Sequence, residues 1–72
     1  MTENMSKAYY FIVKFWQENG FSPTYNEVAR ALSCSYSYAY NLVQNLQTRG
    51  HVKIQSGHRA IIPKELEGKL ND

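Results

Sequence analysis

Amide and hydroxyl side chains recur at three- and four-residue spacing in the segment that follows Tyr36. They are Ser37, Asn41, Gln44 and Thr48, and this spacing places them on one face of a helix. The amide groups of Asn and Gln each offer a donor and an acceptor, which can pair bidentately with N6 and N7 of adenine in the major groove of a duplex. No nucleophile–base pair lies among them, so their chemistry is recognition rather than catalysis.

Tyrosines surround this polar face. Tyr40 flanks it on one side and Tyr38 and Asn45 flank it on the other. Tyrosine hydroxyls can donate to phosphates, and the rings can contact sugars or thymine methyl groups. Because no Arg or Lys occurs from Tyr36 to Gln47, we expect readout that leans towards A·T pairs. Contact with a protein and a merely solvated face are the alternatives, and for Tyr36 packing at the core edge is as plausible as contact.

Composition bounds the class of protein. With 72 residues, 43% of them hydrophobic and 19% charged, the chain is expected to be one small globular domain. The single cysteine excludes an internal disulfide, and the two distant histidines miss the common zinc spacings, so we expect no metal and no cofactor. We also expect no enzyme activity, no small-molecule ligand and no membrane contact, and a cytoplasmic location.

Hydrophobic periodicity predicts three helices. The first is Met5–Asn19, which ends before Gly20. The second is about Tyr25–Leu32, which begins at a capping box formed by Thr24 and Glu27. Its inward-facing residues are predicted to be Val28, Ala31 and Leu32.

The third helix is predicted at Tyr36–Arg49, with Ser35 as its N-cap. Its buried stripe is expected to be Ala39, Leu42, Val43 and Leu46. A hairpin follows, in which Val52–Gln55 alternates like an edge strand and Arg59–Ile62 is the returning strand, ended by Pro63. We therefore expect one domain over residues 1–63 and a polar C-terminal tail over 64–72.

Three stretches resemble the winged helix-turn-helix DNA-binding domain of LexA-type repressors and their bacterial and phage relatives. They are Gly20–Thr24, Glu27–Ser35 and Leu46–Val52. The first resembles that family's approach to its second helix, the next its second helix and turn, and the last the end of its third helix. The resemblance implies a mostly α fold with a small β-hairpin, namely a three-helix bundle with a two-stranded antiparallel wing.

The chain departs from that family in two places. Ser33 stands where the turn often has glycine, and the third helix lacks the arginine or lysine that recognition helices of the family often carry. LexA repressors continue into a self-cleaving peptidase domain, whose activity is not carried over to this chain.

The resemblance implies that helix 36–49 enters the major groove and that the wing at 55–59 lies on the backbone or in the minor groove. The dipole at the start of the second helix also favours a phosphate there. The residues expected to contact DNA are Thr24, Tyr25, Ser35, Tyr36, Ser37, Tyr38, Tyr40, Asn41, Gln44, Asn45, Lys53, His58 and Arg59. Thr24 is also expected to cap its helix, and each hairpin cation could equally be a solvated charge.

The charge distribution and the small size of the chain indicate which partners to expect. The net charge is +2, but residues 20–62 hold four cations against Glu27 alone, which favours an anionic partner. We expect a sequence-specific double-stranded DNA-binding protein, a small repressor-like transcriptional regulator associated with the nucleoid. A homodimer on DNA is expected because one chain offers few cations for phosphate contacts. The alternative is a protein-interaction winged helix, such as an antirepressor or an adaptor in replication or recombination.

Overall fold

The computed structural model describes residues 1–57 and 59–66. Within these residues the chain forms three helices and then a two-stranded antiparallel sheet, and residues 64–66 after the sheet are also helical. In chain order the elements are α1 (Glu3–Asn19), α2 (Tyr25–Leu32), α3 (Tyr36–Thr48), β1 (Val52–Ile54) and β2 (Ile61–Pro63). The expectation of a mostly helical chain with a small β-hairpin is confirmed. None of the helices in the described part of the chain is long and apolar enough to cross a lipid bilayer.

Side-chain caps set where the helices begin. The Thr2 hydroxyl accepts from the backbone N–H of Met5, so α1 begins two residues before the predicted start. The predicted capping box of α2 is confirmed, because the Thr24 hydroxyl accepts from the Glu27 N–H while the Glu27 carboxylate accepts from the Thr24 N–H. The predicted N-cap of α3 is confirmed as well, since the Ser35 hydroxyl accepts from the N–H of Tyr38. Each cap satisfies a donor that the helix itself leaves unpaired.

One apolar core lies between the three helices and the sheet. The predicted stripe of α3 is buried in full and forms the centre of this core. The other buried members of the cluster are Met5, Ala8, Ile12, Val28, Ala29, Val52 and Ile61. The opposite side of α3 is left at the surface as a consequence.

The inward face of α2 differs from the prediction. Ala29 is buried and Ala31 is exposed, while Leu32 is half-buried. At about 100° per residue, Leu32 projects between Val28 and Ala29, whereas Ala31 lies outside that arc. Because α2 has only eight residues, its hydrophobic periodicity does not distinguish an inward face that includes Ala31 from one that includes Ala29.

The returning strand is also shifted from its predicted position. Pro63 lies inside β2 and pairs with Val52, while Ile61 pairs with Ile54. Arg59 precedes the strand instead of beginning it. Proline has no N–H to donate, and the end of an edge strand tolerates this.

The connector between α1 and α2 anchors the hairpin. Ser22 is 1% exposed, and its hydroxyl oxygen accepts from the N–H of Ile61 at 2.9 Å and donates to the carbonyl of Pro23 at 2.7 Å. From the other side, Nε1 of Trp16 donates to the carbonyl of Ile61 at 2.7 Å. Both backbone groups of Ile61 are therefore bound by helix α1 and the chain that follows it.

The beginning of the predicted tail contacts the domain. The Lys64 N–H donates to the carbonyl of His51 at 2.9 Å. The Tyr9 hydroxyl donates to the Glu65 carboxylate at 3.2 Å, and the Tyr9 ring lies edge-on to His51. Residues 67–72 of the predicted tail lie outside the described residues.

We expect Ser22→Ala to destabilise the chain. The substitution leaves the buried N–H of Ile61 without its acceptor, and an unsatisfied buried donor costs about 1–3 kcal/mol. The free energy of unfolding in urea measures this loss. Ser6→Ala, the same chemical change at an exposed position of α1, is the matched control. Equal unfolding free energies for the two variants would contradict the role given to Ser22.

Candidate nucleic-acid interface

The outward side of α3 carries the polar and aromatic side chains that the sequence singles out. Tyr36, Tyr38 and Tyr40 are 50%, 43% and 43% exposed, which is high for side chains of this size. The remaining exposed members of the predicted set on or next to this helix are Ser35, Ser37, Asn41 and Asn45. All of them are accessible to a partner that approaches this side of α3.

Three tyrosines form a cluster that joins α2 to α3. The Tyr25 ring lies 5.9 Å from Tyr36 and 5.1 Å from Tyr40, measured between ring centroids. Tyr36 and Tyr40 are one helical turn apart, 6.5 Å between centroids, with their rings only 21° from parallel. Contacts of this kind contribute about 0.5–1.5 kcal/mol each. The two exposed rings are therefore held in place from behind by Tyr25.

Gln44 is half-buried and is tied to the same cluster. Its Nε2 donates to the Tyr25 hydroxyl at 3.3 Å. Burial first, and then the nearby Tyr40, raise the pKa of Tyr25 above its usual 10.0, so the phenol stays protonated at neutral pH. Of the two amide side chains predicted to read bases, the exposed Asn41 is thus the more accessible, and Gln44 would have to exchange its bond to Tyr25 for one to a base.

An open groove lies on the outward surface of α3. It is lined by Tyr36, Ser37, Tyr40 and Asn41 and has a volume of about 290 Å³. Every one of its lining residues is exposed and none carries a charge. The groove therefore offers apolar ring surface together with three hydroxyls and one amide.

The first turn of α3 is braced by its neighbours. Nδ2 of Asn4 donates to the Tyr38 hydroxyl at 2.7 Å, which links the first turns of α1 and α3. Ser35 is occupied in capping, although its side chain remains at the surface. Tyr38 thus faces solvent with its hydroxyl already oriented.

The start of α2 does not support the predicted phosphate contact of Thr24. Thr24 is 8% exposed, and both its hydroxyl and its N–H are used in the capping box. The carboxylate of Glu27 lies at this helix end and supplies the negative charge that the dipole favours. A phosphate here would meet that carboxylate, so this geometry favours the capping role of Thr24, and its contact with DNA stays a prediction.

Arg59 is committed to contacts within the chain. Its Nη1 donates to the Glu27 carboxylate at 2.8 Å and to the carbonyl of Ser22 at 2.9 Å. The guanidinium also lies over the Phe21 ring, 4.8 Å from its centroid, and 5.9 Å from that of Phe15. This arrangement favours a structural role over the predicted phosphate contact, because the charge of Arg59 is compensated by Glu27.

Lys53 and His58 are the other two hairpin residues expected to contact DNA. Lys53 is exposed on β1. His58 lies outside the described residues. Among the residues that the structure describes, no three His, Cys, Asp or Glu side chains are arranged to hold a metal ion.

Comparison of the sequence with models of known protein families found no match, and comparison with curated proteins found no match either.

We expect the free energy of unfolding to fall in acid because Glu27 becomes protonated. Hydrogen bonds from Arg59 first, and then from the Thr24 backbone, lower the pKa of Glu27 below its usual 4.5. Because the pKa of Glu27 is lower in the folded state than in the unfolded state, its ionised carboxylate stabilises the fold. This stabilisation is present in full at pH values above the usual pKa of 4.5, and it is lost as the pH falls below 4.5 towards the folded-state pKa. The free energy of unfolding, measured from about pH 7 to about pH 3, should therefore fall more for the natural chain than for Glu27→Gln. An equal fall for both chains would contradict this assignment.

Proposed function

We propose that this chain is a sequence-specific double-stranded DNA-binding protein of the winged helix-turn-helix type, acting as a small transcriptional regulator. The observation that carries the proposal is the exposed, uncharged face of α3, with Asn41 and Ser37 between tyrosine rings. The resemblance of the sequence to LexA-type repressors supports the same function.

The geometry around α3 suits insertion into a major groove. A turn of three residues, Ser33–Ser35, joins α2 to α3, as in helix-turn-helix proteins. The major groove is about 12 Å wide, which admits one helix with its side chains. Because the stripe centred on Leu42 and Leu46 holds the other side of α3 in the core, only the polar face can turn towards the bases.

The proposed role of the hairpin is a contact beside α3, on the DNA backbone or in the minor groove. Lys53, which is exposed on β1, is the proposed phosphate contact of the hairpin. Since Arg59 is paired with Glu27, the number of phosphate contacts per chain is small. Affinity for a single half-site should therefore be low.

Asn41→Ala should reduce base discrimination. A bidentate amide–adenine pair is worth about 1–3 kcal/mol of discrimination, or about fivefold to 150-fold. The measurement compares binding to the duplex selected from a random pool with binding to its single A·T-to-G·C variants. Gln17→Ala, an amide removed from the exposed face of α1, is the control. Unchanged discrimination by Asn41→Ala would show that Asn41 does not read bases.

Two chains are expected on one selected duplex. A pair of chains on a symmetric site doubles the few phosphate contacts that one chain can make. Tyr10, 67% exposed on α1, is the candidate contact between chains. Light scattering on the purified complex measures the number of chains, and Tyr10→Ser should reduce the two-chain species. A complex that holds a single chain at saturating protein would contradict this expectation.

A protein-binding winged helix, such as an antirepressor or an adaptor, is the second candidate function. The observation that favours it is the set of three exposed tyrosines on a helix segment without Arg or Lys. Salt titration separates the two functions. The logarithm of the binding constant for DNA falls linearly with the logarithm of the salt concentration, whereas a tyrosine-anchored protein contact changes little.

A further inference from the structure

We infer that Glu27 and Arg59 are positioning residues for DNA binding, because their ion pair holds the loop between β1 and β2 where it can meet a duplex beside α3. The inference rests on the proposed function and deepens it. It leads to an unusual expectation, namely that removing the negative charge of Glu27 weakens binding to a polyanion. Simple charge repulsion would give the opposite result.

The hairpin is too small to set its own direction. Each of its strands has three residues, and a two-stranded hairpin by itself is at best marginally stable in water. The bonds of Ile61 to Ser22 and Trp16 fix the end of β2 from which the loop projects. The direction of the loop beyond this point therefore depends on contacts that the loop itself makes.

Arg59 supplies such contacts from within the loop. Its Nη1 donates to Oε1 of Glu27 at 2.8 Å and to the carbonyl of Ser22 at 2.9 Å, and its Nη2 donates to Oε2 of Glu27 at 3.4 Å. The guanidinium also lies over the Phe21 ring, 4.8 Å from its centroid. A carboxylate, a carbonyl and a ring thus hold one planar group, which fixes its orientation better than a lone charge pair does.

Glu27 connects the loop to the helices that carry the candidate interface. Its carboxylate also accepts from the N–H of Thr24, so one side chain both caps α2 and receives Arg59. Helix α2 is in turn joined to α3 by the contact between the rings of Tyr25 and Tyr40. The ion pair therefore sets the direction of the loop relative to the outward face of α3.

The geometry of the pair favours positioning over a direct contact between Arg59 and a phosphate. A phosphate would have to displace a carboxylate that lies 2.8 Å from the guanidinium. The exposed fractions of the two side chains are 38% and 32%, so both are partly shielded from water, which strengthens their attraction. An exchange of Glu27 for a phosphate would also release the loop from α2.

The experiment measures how Glu27→Gln binds a duplex selected from a random pool, over a range of salt concentrations. Glutamine can replace glutamate in a capping box, so this variant can keep the cap of α2 while it loses the ion pair. A misplaced hairpin should lose about one phosphate contact, for which Lys53 is the proposed group. We therefore expect about fivefold weaker binding at about 0.15 M salt and a log–log salt slope shallower by about one.

Glu18→Gln is the matched control, because it makes the same chemical change at an exposed position of α1. It should bind the duplex as the natural chain does, with the same salt slope. Circular dichroism and urea unfolding show whether each variant is folded under the binding conditions. A loss of folded chain lowers the apparent affinity but leaves the salt slope unchanged, so the slope separates positioning from stability.

A double variant shows whether the two residues act as a unit. Arg59→Gln alone should weaken binding and make the salt slope shallower. In the Glu27→Gln chain the same substitution should add little, so the double variant should bind within about twofold of Arg59→Gln. A direct contact of Arg59 with a phosphate would instead be lost in full in either chain.

The possible failures can be told apart. Tighter binding by Glu27→Gln with a steeper salt slope would show that the released Arg59 contacts a phosphate, which would overturn the positioning role and leave DNA binding in place. Binding equal to that of Glu18→Gln, or weaker binding with an unchanged slope, would also overturn the positioning role. A pool from which no duplex is enriched would overturn both the inference and the proposed function.

Discussion

Burial of one side of α3 against α1 and α2 decides what the opposite side presents. Ala39, Val43 and Leu46 have no exposed surface, and Leu42 has almost none, so α3 cannot rotate about its axis without opening the core. Packing of this density tolerates little displacement. The capped turn at Ser35 fixes the start of the helix, and the tyrosine cluster fixes the side chains beyond it. The orientation of the exposed face is thus set by the core, and a recognition site benefits from such a fixed helix.

Contacts with α1 and with the connector before α2 hold the hairpin in position. The Ser22 hydroxyl and the Trp16 indole bind the two backbone groups of Ile61, and Arg59 bridges from the loop of the hairpin to Glu27. Arg59 therefore orients the hairpin relative to the helices. This use of the arginine leaves the candidate surface with little positive charge, so recognition of a partner depends more on shape, rings and amides than on attraction at a distance.

Much of the fold could be predicted from local patterns in the sequence. The capping box at Thr24 and Glu27, the N-cap at Ser35 and the apolar stripe of α3 are each encoded within four or fewer residues of the positions they affect. The exposed residues of α3 followed from the same periodicity. The spacing of Tyr36 and Tyr40, one helical turn apart, was also a usable signal for the ring pair, although their joint contact with Tyr25 was missed.

The parts that were not predicted depend on contacts between distant residues. The hydrogen bond from Ile61 to Ser22 joins positions 39 apart, and the bond from Arg59 to the Ser22 carbonyl joins positions 37 apart. Nothing near Arg59 in the sequence distinguishes a cation paired with Glu27 from one available to a phosphate. The shift of β2 to include Pro63 and the burial of Ala29 in place of Ala31 likewise depend on how the elements pack.

The central claim is that the outward face of α3 is the surface that meets DNA. It is tested most directly by following the backbone amide signals of the isotope-labelled chain as a selected duplex is added. If this face meets DNA, the largest shifts are expected at Ser37, Tyr40 and Asn41. Largest shifts on the exposed face of α1 around Lys14 and Gln17, with α3 unaffected, would contradict it.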